Sequence, residues 1–192
     1  MLRHVLMLLT ILMSPGLWAA DPQVELRTSA GTITIELYTD RAPVTVKNFL
    51  QYVTDGYYNG TIFHRVIDGF MIQGGGFTSN LVKKATRPPI VIESKNGLRN
   101  EVGTMAMART ADPNSATSEF FINLVNNDAL NYPGRDGHGY TVFGKVINGM
   151  EVVEKIAKIP TEVRSPHRNV PVETVLIKSA RIVGGPGKKP AK

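Results

Sequence analysis

Cysteine is absent from all 192 residues of the chain. That excludes disulfide staples, a thiol nucleophile and any thiolate metal site, so stability has to come from the core alone. Tryptophan occurs once, as Trp18. No Gly-x-Ser-x-Gly elbow, His-Glu-x-x-His pair or Gly-x-x-x-x-Gly-Lys-[Ser/Thr] loop is present, which removes three common hydrolytic and nucleotide-binding chemistries. Gly74-Gly75-Gly76 has no lysine after it and no helical pattern, so it is not a phosphate cradle. His64, His138 and His167 share no ligand spacing and read as core or solvated residues, not as a metal site. No basic stripe with interleaved aromatics exists, which argues against a nucleic-acid partner.

The N-terminus is of a different kind from the rest. Arg3 and His4 precede Val5–Met13, a nine-residue apolar run broken only by Thr10. Ser14-Pro15-Gly16 ends the run, and Ala19-Ala20 offers small residues for cleavage. Residues 1–20 therefore read as a secretory signal peptide. The run falls short of the ~20 apolar residues that span a bilayer, so no stable membrane insertion is expected after cleavage. Cleavage after Ala19 or Ala20 puts Leu17 or Trp18 three residues before the cut, and neither is small. Export with this style of leader and no second anchor points to the periplasm.

The mature sequence reads as one domain, residues 21–183, with no internal repeat. Lys and Arg number 22 against 16 Asp and Glu, a net charge of +6. The excess is dispersed except in residues 184–192, where a Gly-rich stretch leads to Lys188-Lys189-Pro190-Ala191-Lys192 and reads as a flexible basic tail. Val24–Thr28 and Thr32–Leu37 alternate on either side of Ser29-Ala30-Gly31 and predict a β-hairpin. Pro43 opens a helix whose Val46, Phe49, Leu50 and Val53 form one apolar stripe, with Gly56 placed to end it. Further strands are predicted near Ile62–Val66, Met71–Gln73, Gly103–Ala108, Phe120–Leu124, Tyr140–Val146 and Thr174–Ile182. A second helix fits Met150–Lys158. Many short strands with two separated helices predict a mainly β fold, an antiparallel barrel closed so as to leave no edges. No long exposed apolar face is visible, which points to a monomer. The segments Phe77–Gly97 and Asn126–Gly139 read as surface loops that build or flank a groove.

Two segments carry the chemistry. Ile62-Phe63-His64-Arg65-Val66-Ile67-Asp68-Gly69-Phe70-Met71-Ile72-Gln73 sets one guanidinium and one amide among large apolar side chains. Some fifty residues on comes Ser118-Glu119-Phe120-Phe121-Ile122-Asn123. In order and spacing they closely resemble the two signature segments of the cyclophilins, peptidyl-prolyl cis/trans isomerases inhibited by cyclosporin. The resemblance runs from about Gln23 to Val183. It implies a closed eight-stranded antiparallel β-barrel capped by two α-helices, and an isomerase of the bacterial periplasmic kind. The implied partners are proline-containing unfolded or partly folded polypeptides, and the reaction needs no cofactor or metal.

The resemblance also assigns roles. Arg65 holds the place of the family arginine that donates to the prolyl nitrogen. Phe70, Met71, Phe121 and Leu130 match the apolar proline pocket, whose residues would otherwise pass for ordinary core. Gln73 matches the groove glutamine. Ala108 and Arg109 lie where a family strand offers its backbone to the peptide, so Arg109 is expected to contribute main chain and not charge. Tyr140 falls where many relatives carry histidine. Strand alternation turns His64 to the face opposite Arg65 and makes it structural.

Two departures stand out. Glu119 replaces a usual glutamine and, while ionised, accepts hydrogen bonds only; it is expected to pair with Arg65 or Arg109. Ala129 stands where cyclosporin-binding relatives have tryptophan, which implies weak or no cyclosporin binding. The competing reading is a proline-peptide-binding chaperone module with little catalysis. If the leader is removed, the mature protein contains no tryptophan, so its emission should be tyrosine-like. An indole band near 340–350 nm in protein isolated from the envelope would show that cleavage had not occurred.

Overall fold

The computed structural model describes residues 21–185; the predicted leader and residues 186–192 of the tail lie outside it. Gln23–Thr28 (β1) and Thr32–Leu37 (β2) form the first hairpin, paired from Gln23↔Glu36 to Arg27↔Thr32. Its burial alternates as the sequence does: Val24, Leu26, Ile33, Ile35 and Leu37 are all fully buried. The Thr28 hydroxyl closes the turn by accepting from the Gly31 and Ala30 amides, each at 3.1 Å, and donating to the Gly31 carbonyl at 2.7 Å.

Pro43–Thr54 (α1) starts with proline at its first turn, and Gly56 follows its end at φ 67°. No side chain at its N-cap supplies a hydrogen bond. Glu93 does so from the long loop, accepting from Val44 N at 3.1 Å and from Thr45 N and Oγ1 at 2.8 and 2.7 Å. A carboxylate at that end also matches the helix dipole.

The remaining elements are Thr61–Ile67 (β3), Met71–Thr78 (β4), Thr104–Met107 (β5), Phe120–Asn123 (β6), Val142–Asn148 (β7), Met150–Ala157 (α2), Thr161–Arg164 (β8), His167–Pro171 (β9) and Ile177–Gly184 (β10). Eight of the strands form one antiparallel sheet in the order β10-β1-β2-β7-β5-β6-β4-β3. The closed barrel expected from the sequence is not what forms. The sheet curls into an open half-barrel whose terminal strands, β3 and β10, share no continuous ladder. β10 is committed to β1 along its length. At the seam, near the start of β10, there is one isolated bridge, Ile62↔Leu176. Phe63 N to Val175 O (3.0 Å) and Gly60 N to Ile177 O (2.9 Å) are the accompanying hydrogen bonds.

Gly184, the first residue of the stretch read as the tail, belongs to β10 and pairs with Gln23. The β8–β9 hairpin was missed in the sequence. Thr161-Glu162-Val163 is exposed throughout and has no buried face to announce a strand.

The half-barrel interior is apolar and aromatic. Phe49 from α1 lies 5.1 Å from Tyr58, 5.3 Å from Phe143 and 5.7 Å from Phe120, the last edge-on at 88°. Val153, Ile156 and Ala157 of α2 bury into the same cluster. Gly75 takes φ 84°, and a Cβ there would meet Phe120 and Tyr58 at 2.8 and 2.9 Å. The middle of the glycine run is therefore a packing requirement, where β4 lies flat against two core rings.

Truncating Phe120 to alanine should destabilise the fold by about 3–5 kcal/mol, because a fully buried ring would leave a cavity. Urea denaturation monitored by circular dichroism measures this; a loss under 1 kcal/mol would mean that the core collapses around the gap.

Candidate active site

Adjacent residues on these strands serve two different surfaces. Ile72, Met105, Phe120 and Ile122 join the main core, while their neighbours Met71, Ala106 and Phe121 belong, with Val142, to a second, smaller cluster outside it. Period-two alternation is the cause. Registration makes the second surface continuous. Arg65 pairs with Gln73, Gln73 with Phe121, Phe121 with Ala106, and Ala106 with Val142. One row thus crosses β3, β4, β6, β5 and β7.

A bulge sets the start of that row. The pairing passes from Phe63↔Gly74 to Arg65↔Gln73, so β3 spends two steps where β4 spends one and His64 is the extra residue. Regular alternation would part His64 from Arg65. Here both reach one polar network: Arg65 Nη1 donates to Gln73 Oε1 at 3.2 Å, Gln73 Nε2 donates to Glu119 Oε2 at 3.0 Å, and His64 Nε2 lies 3.5 Å from the same oxygen. Lys83 Nζ approaches the other carboxylate oxygen at 3.9 Å. Glu119 therefore does not pair with Arg65 or Arg109 as expected. It acts on the guanidinium only through Gln73, because strand pairing puts Gln73 between them. Gly76 makes room for this carboxylate, since a Cβ there would strike the Glu119 side chain.

The row borders a cavity of about 110 Å³. Arg65 and Gln73 form its polar wall. Phe70, Met71, Phe121 and Leu130 form its apolar wall. Ala108, Arg109 and Tyr140 complete the rim. Nine of the ten residues singled out in the sequence meet here; Glu119 stands behind Gln73. The volume is well below the ~300–1,000 Å³ of cofactor or drug-sized sites and suits one small ring. Among the described residues no cluster of three His, Asp or Glu side chains could hold a metal ion. Gln73 is the hydrogen-bond acceptor of the Arg65 side chain, so among the described residues most of that charged fork carries no protein acceptor at the cavity wall.

The Arg109 charge is spent within the protein. Its side chain, 3% exposed, is fully engaged. It donates to Gly139 O from Nε (3.0 Å) and Nη2 (2.6 Å), to Thr110 O from Nη1 (3.0 Å), and pairs with Asp136. It also lies 4.4 Å over the Tyr140 ring. The Arg109 hydrogen bond, helped by the His138 and Gly139 amides, holds the Asp136 carboxyl well below the usual carboxylate range. The charge thus tethers the 131–139 loop, and Tyr140 meets Phe121 edge-on at 5.7 Å.

A set of asparagines escaped the sequence reading. Asn123, fully buried, donates to Thr104 Oγ1 at 2.9 Å and to Asn100 Oδ1 at 3.2 Å. Asn127 donates to Asn123 Oδ1 (2.7 Å) and to Phe70 O (2.9 Å). Asn131 Oδ1 receives the Asn100 amide at 2.6 Å. Together they fix Phe70 and the short 3₁₀ turn Asp128–Leu130 that presents Leu130. Asn126-Asn127 before a turn was the available signal, but polar loop residues alone do not reveal partners.

Comparison with known proteins agrees with this geometry. The cyclophilin type peptidyl-prolyl cis-trans isomerase/CLD family matches residues 23–182, and the chain belongs to that family of isomerases. It is 53% identical over 182 residues to a peptidyl-prolyl cis-trans isomerase of Acinetobacter baylyi, covering 95% of this chain and 96% of that one. Peptidyl-prolyl cis-trans isomerase B of Escherichia coli is 53% identical over 161 residues, covering 83% of this chain and 98% of that one. Among solved structures, a cyclophilin-type isomerase of Cryptosporidium parvum superposes with TM-score 0.71 at 28% identity, covering 88% of this chain and 99% of that one. A second crystal structure of that protein, obtained in the presence of the dipeptide Ala-Pro, gives TM-score 0.69 at 29% identity, covering 83% and 98%.

His64 supplies a pH dependence. Burial, then the charges of His167, Arg65 and Lys83, lowers its pKa from 6.5 to about 4, so the imidazole is neutral at pH 7. The unfolded chain binds the extra proton between those values, so stability should fall as pH drops from about 6.5 to 4 and level off below. The Glu119 carboxylate 3.5 Å away opposes this shift, so the full span, about 3 kcal/mol, is an upper bound. Urea titrations across this range, with His64→Gln alongside, measure it; an equal slope in both proteins would assign the effect elsewhere.

Proposed function

We propose that the enzyme accelerates rotation about X-Pro bonds of unfolded or partly folded polypeptides in the periplasm, non-covalently and without a cofactor, after removal of residues 1–20. The observation that carries this reading is the cross-strand row that sets Arg65 at the edge of an apolar, ring-sized cavity. The proline ring occupies the wall of Phe70, Met71, Phe121 and Leu130. Rotation costs roughly 18–20 kcal/mol because amide resonance is lost, and unassisted it takes tens to hundreds of seconds. Turnover in milliseconds requires about 5.5–7 kcal/mol off that barrier.

At the twisted geometry the prolyl nitrogen regains its lone pair and becomes an acceptor. Arg65 donates to it there and not to the planar ground state, which is the condition for catalysis. Glu119, through Gln73, aims the guanidinium. The second amide hydrogen of Gln73 remains for a substrate carbonyl. Ala108 N is spent on Glu119 O at 3.0 Å, so this edge offers the peptide its carbonyl side.

The enzyme works as a monomer. Ala129 provides no indole N–H, and cyclosporin binds weakly or not at all.

Arg65→Ala should lower kcat/KM for an X-Pro test peptide by about 10²–10³, with peptide affinity changed far less. Isomerisation assays with parallel calorimetry of peptide binding test this. A parent no faster than buffer that still binds the peptide would replace the catalytic reading with a proline-binding chaperone module.

A further inference from the structure

Beyond Phe70, Leu130 and Tyr140 lies a second cavity, of about 520 Å³ against about 110 Å³ for the first. Those three side chains line both, so the two cavities are neighbours that share a wall. Ala129, on the 3₁₀ turn, lines the larger one with only a methyl group. Asp128, Arg135 and Asp136 contribute its charges.

We infer that this cavity is a subsite for the side chain of the residue that follows proline, that it favours bulky side chains, and that Arg135 favours an acidic side chain over a basic one. The inference rests on the first cavity being the proline site. Gln73, whose free amide hydrogen the proposed function assigns to a substrate carbonyl, stands with Ala108 and Arg109 on one side of the first cavity, and on that reading the residue before proline lies there. The chain then leaves across the opposite wall, which is the wall shared with the second cavity.

Size follows from the walls. Phe70, Leu130 and Tyr140 give an apolar lining, and Ala129 leaves the volume open, so an aromatic or long aliphatic side chain gains contact that glycine cannot make. Charge follows from pairing. Asp128 is engaged by Arg99 at 2.8 Å and Asp136 by the buried Arg109. Arg135 has no ion-pair partner among the described residues, so the local balance left for a ligand is positive.

The test uses Ala-Ala-Pro-X-Ala peptides with X as Gly, Phe, Glu or Lys, reading both affinity by calorimetry and kcat/KM by exchange NMR. Phe should exceed Gly by roughly five- to twentyfold, and Glu should exceed Lys by about two- to fivefold. Ala129→Trp, which fills the cavity from an exposed position, should bring the Phe-to-Gly ratio close to one. Arg135→Glu should reverse the Glu and Lys order while leaving the Phe-to-Gly ratio. Equal values for Phe and Gly in the parent, or a ratio that survives Ala129→Trp, would overturn the subsite while leaving the isomerase reading intact. Peptides that are neither bound nor turned over would overturn both.

Discussion

Antiparallel pairing of β4 with β6 holds the two surfaces of this molecule in step. Each strand step moves a side chain from the aromatic interior to the outer cluster, so the adjacent rings of Phe120 and Phe121 have opposite tasks. A slip of one residue would put Phe121 inside and Phe120 at the cavity, together with Gln73. The core resists this slip because Phe120 packs edge-on against Phe49, Tyr58 and Phe63. The energy that stabilises the fold therefore also fixes the site's geometry.

Charge is handled by engagement at the rim and restraint at the centre. Arg109 is buried and spends its donors on a loop carbonyl and a carboxylate. Glu93 reaches from a loop to cap α1. Asn123, Asn127 and Asn100 tie the loops to the barrel and to each other. Arg65 differs from these, with the Gln73 amide alone accepting from it among the described residues. The proposed mechanism, which forms no covalent bond, asks for this arrangement: a rigid apolar seat and one cation aimed at a lone pair that exists only in the twisted state.

Much of the fold was legible from residue pattern. The first hairpin, both helices and the larger strands follow from periods of 2.0 and 3.6 residues, and the glycine after α1 from its C-terminal position. What was illegible has specific causes. β8 buries none of its residues, and β9 buries only Val170 and Pro171 at its end, so neither shows an alternating apolar face. The barrel's open seam depends on how completely β10 is used by β1, which no local pattern records. His64 was assigned to the far face because alternation assumes a regular strand, and the bulge at that residue breaks the assumption.

The sequence by itself determined which side chains are available: a guanidinium and an amide among large apolar groups, a carboxylate in place of an amide, and a methyl at position 129. Local chemistry dictates these and they survive any folding. Only the tertiary structure decided who meets whom. It put Gln73 between Glu119 and Arg65, turned the Arg109 charge into a loop tether, and opened a second cavity beside the first. The reason is that hydrogen-bond reach is about 3 Å, and residues 65, 73 and 119 come within it only through strand register and a single bulge.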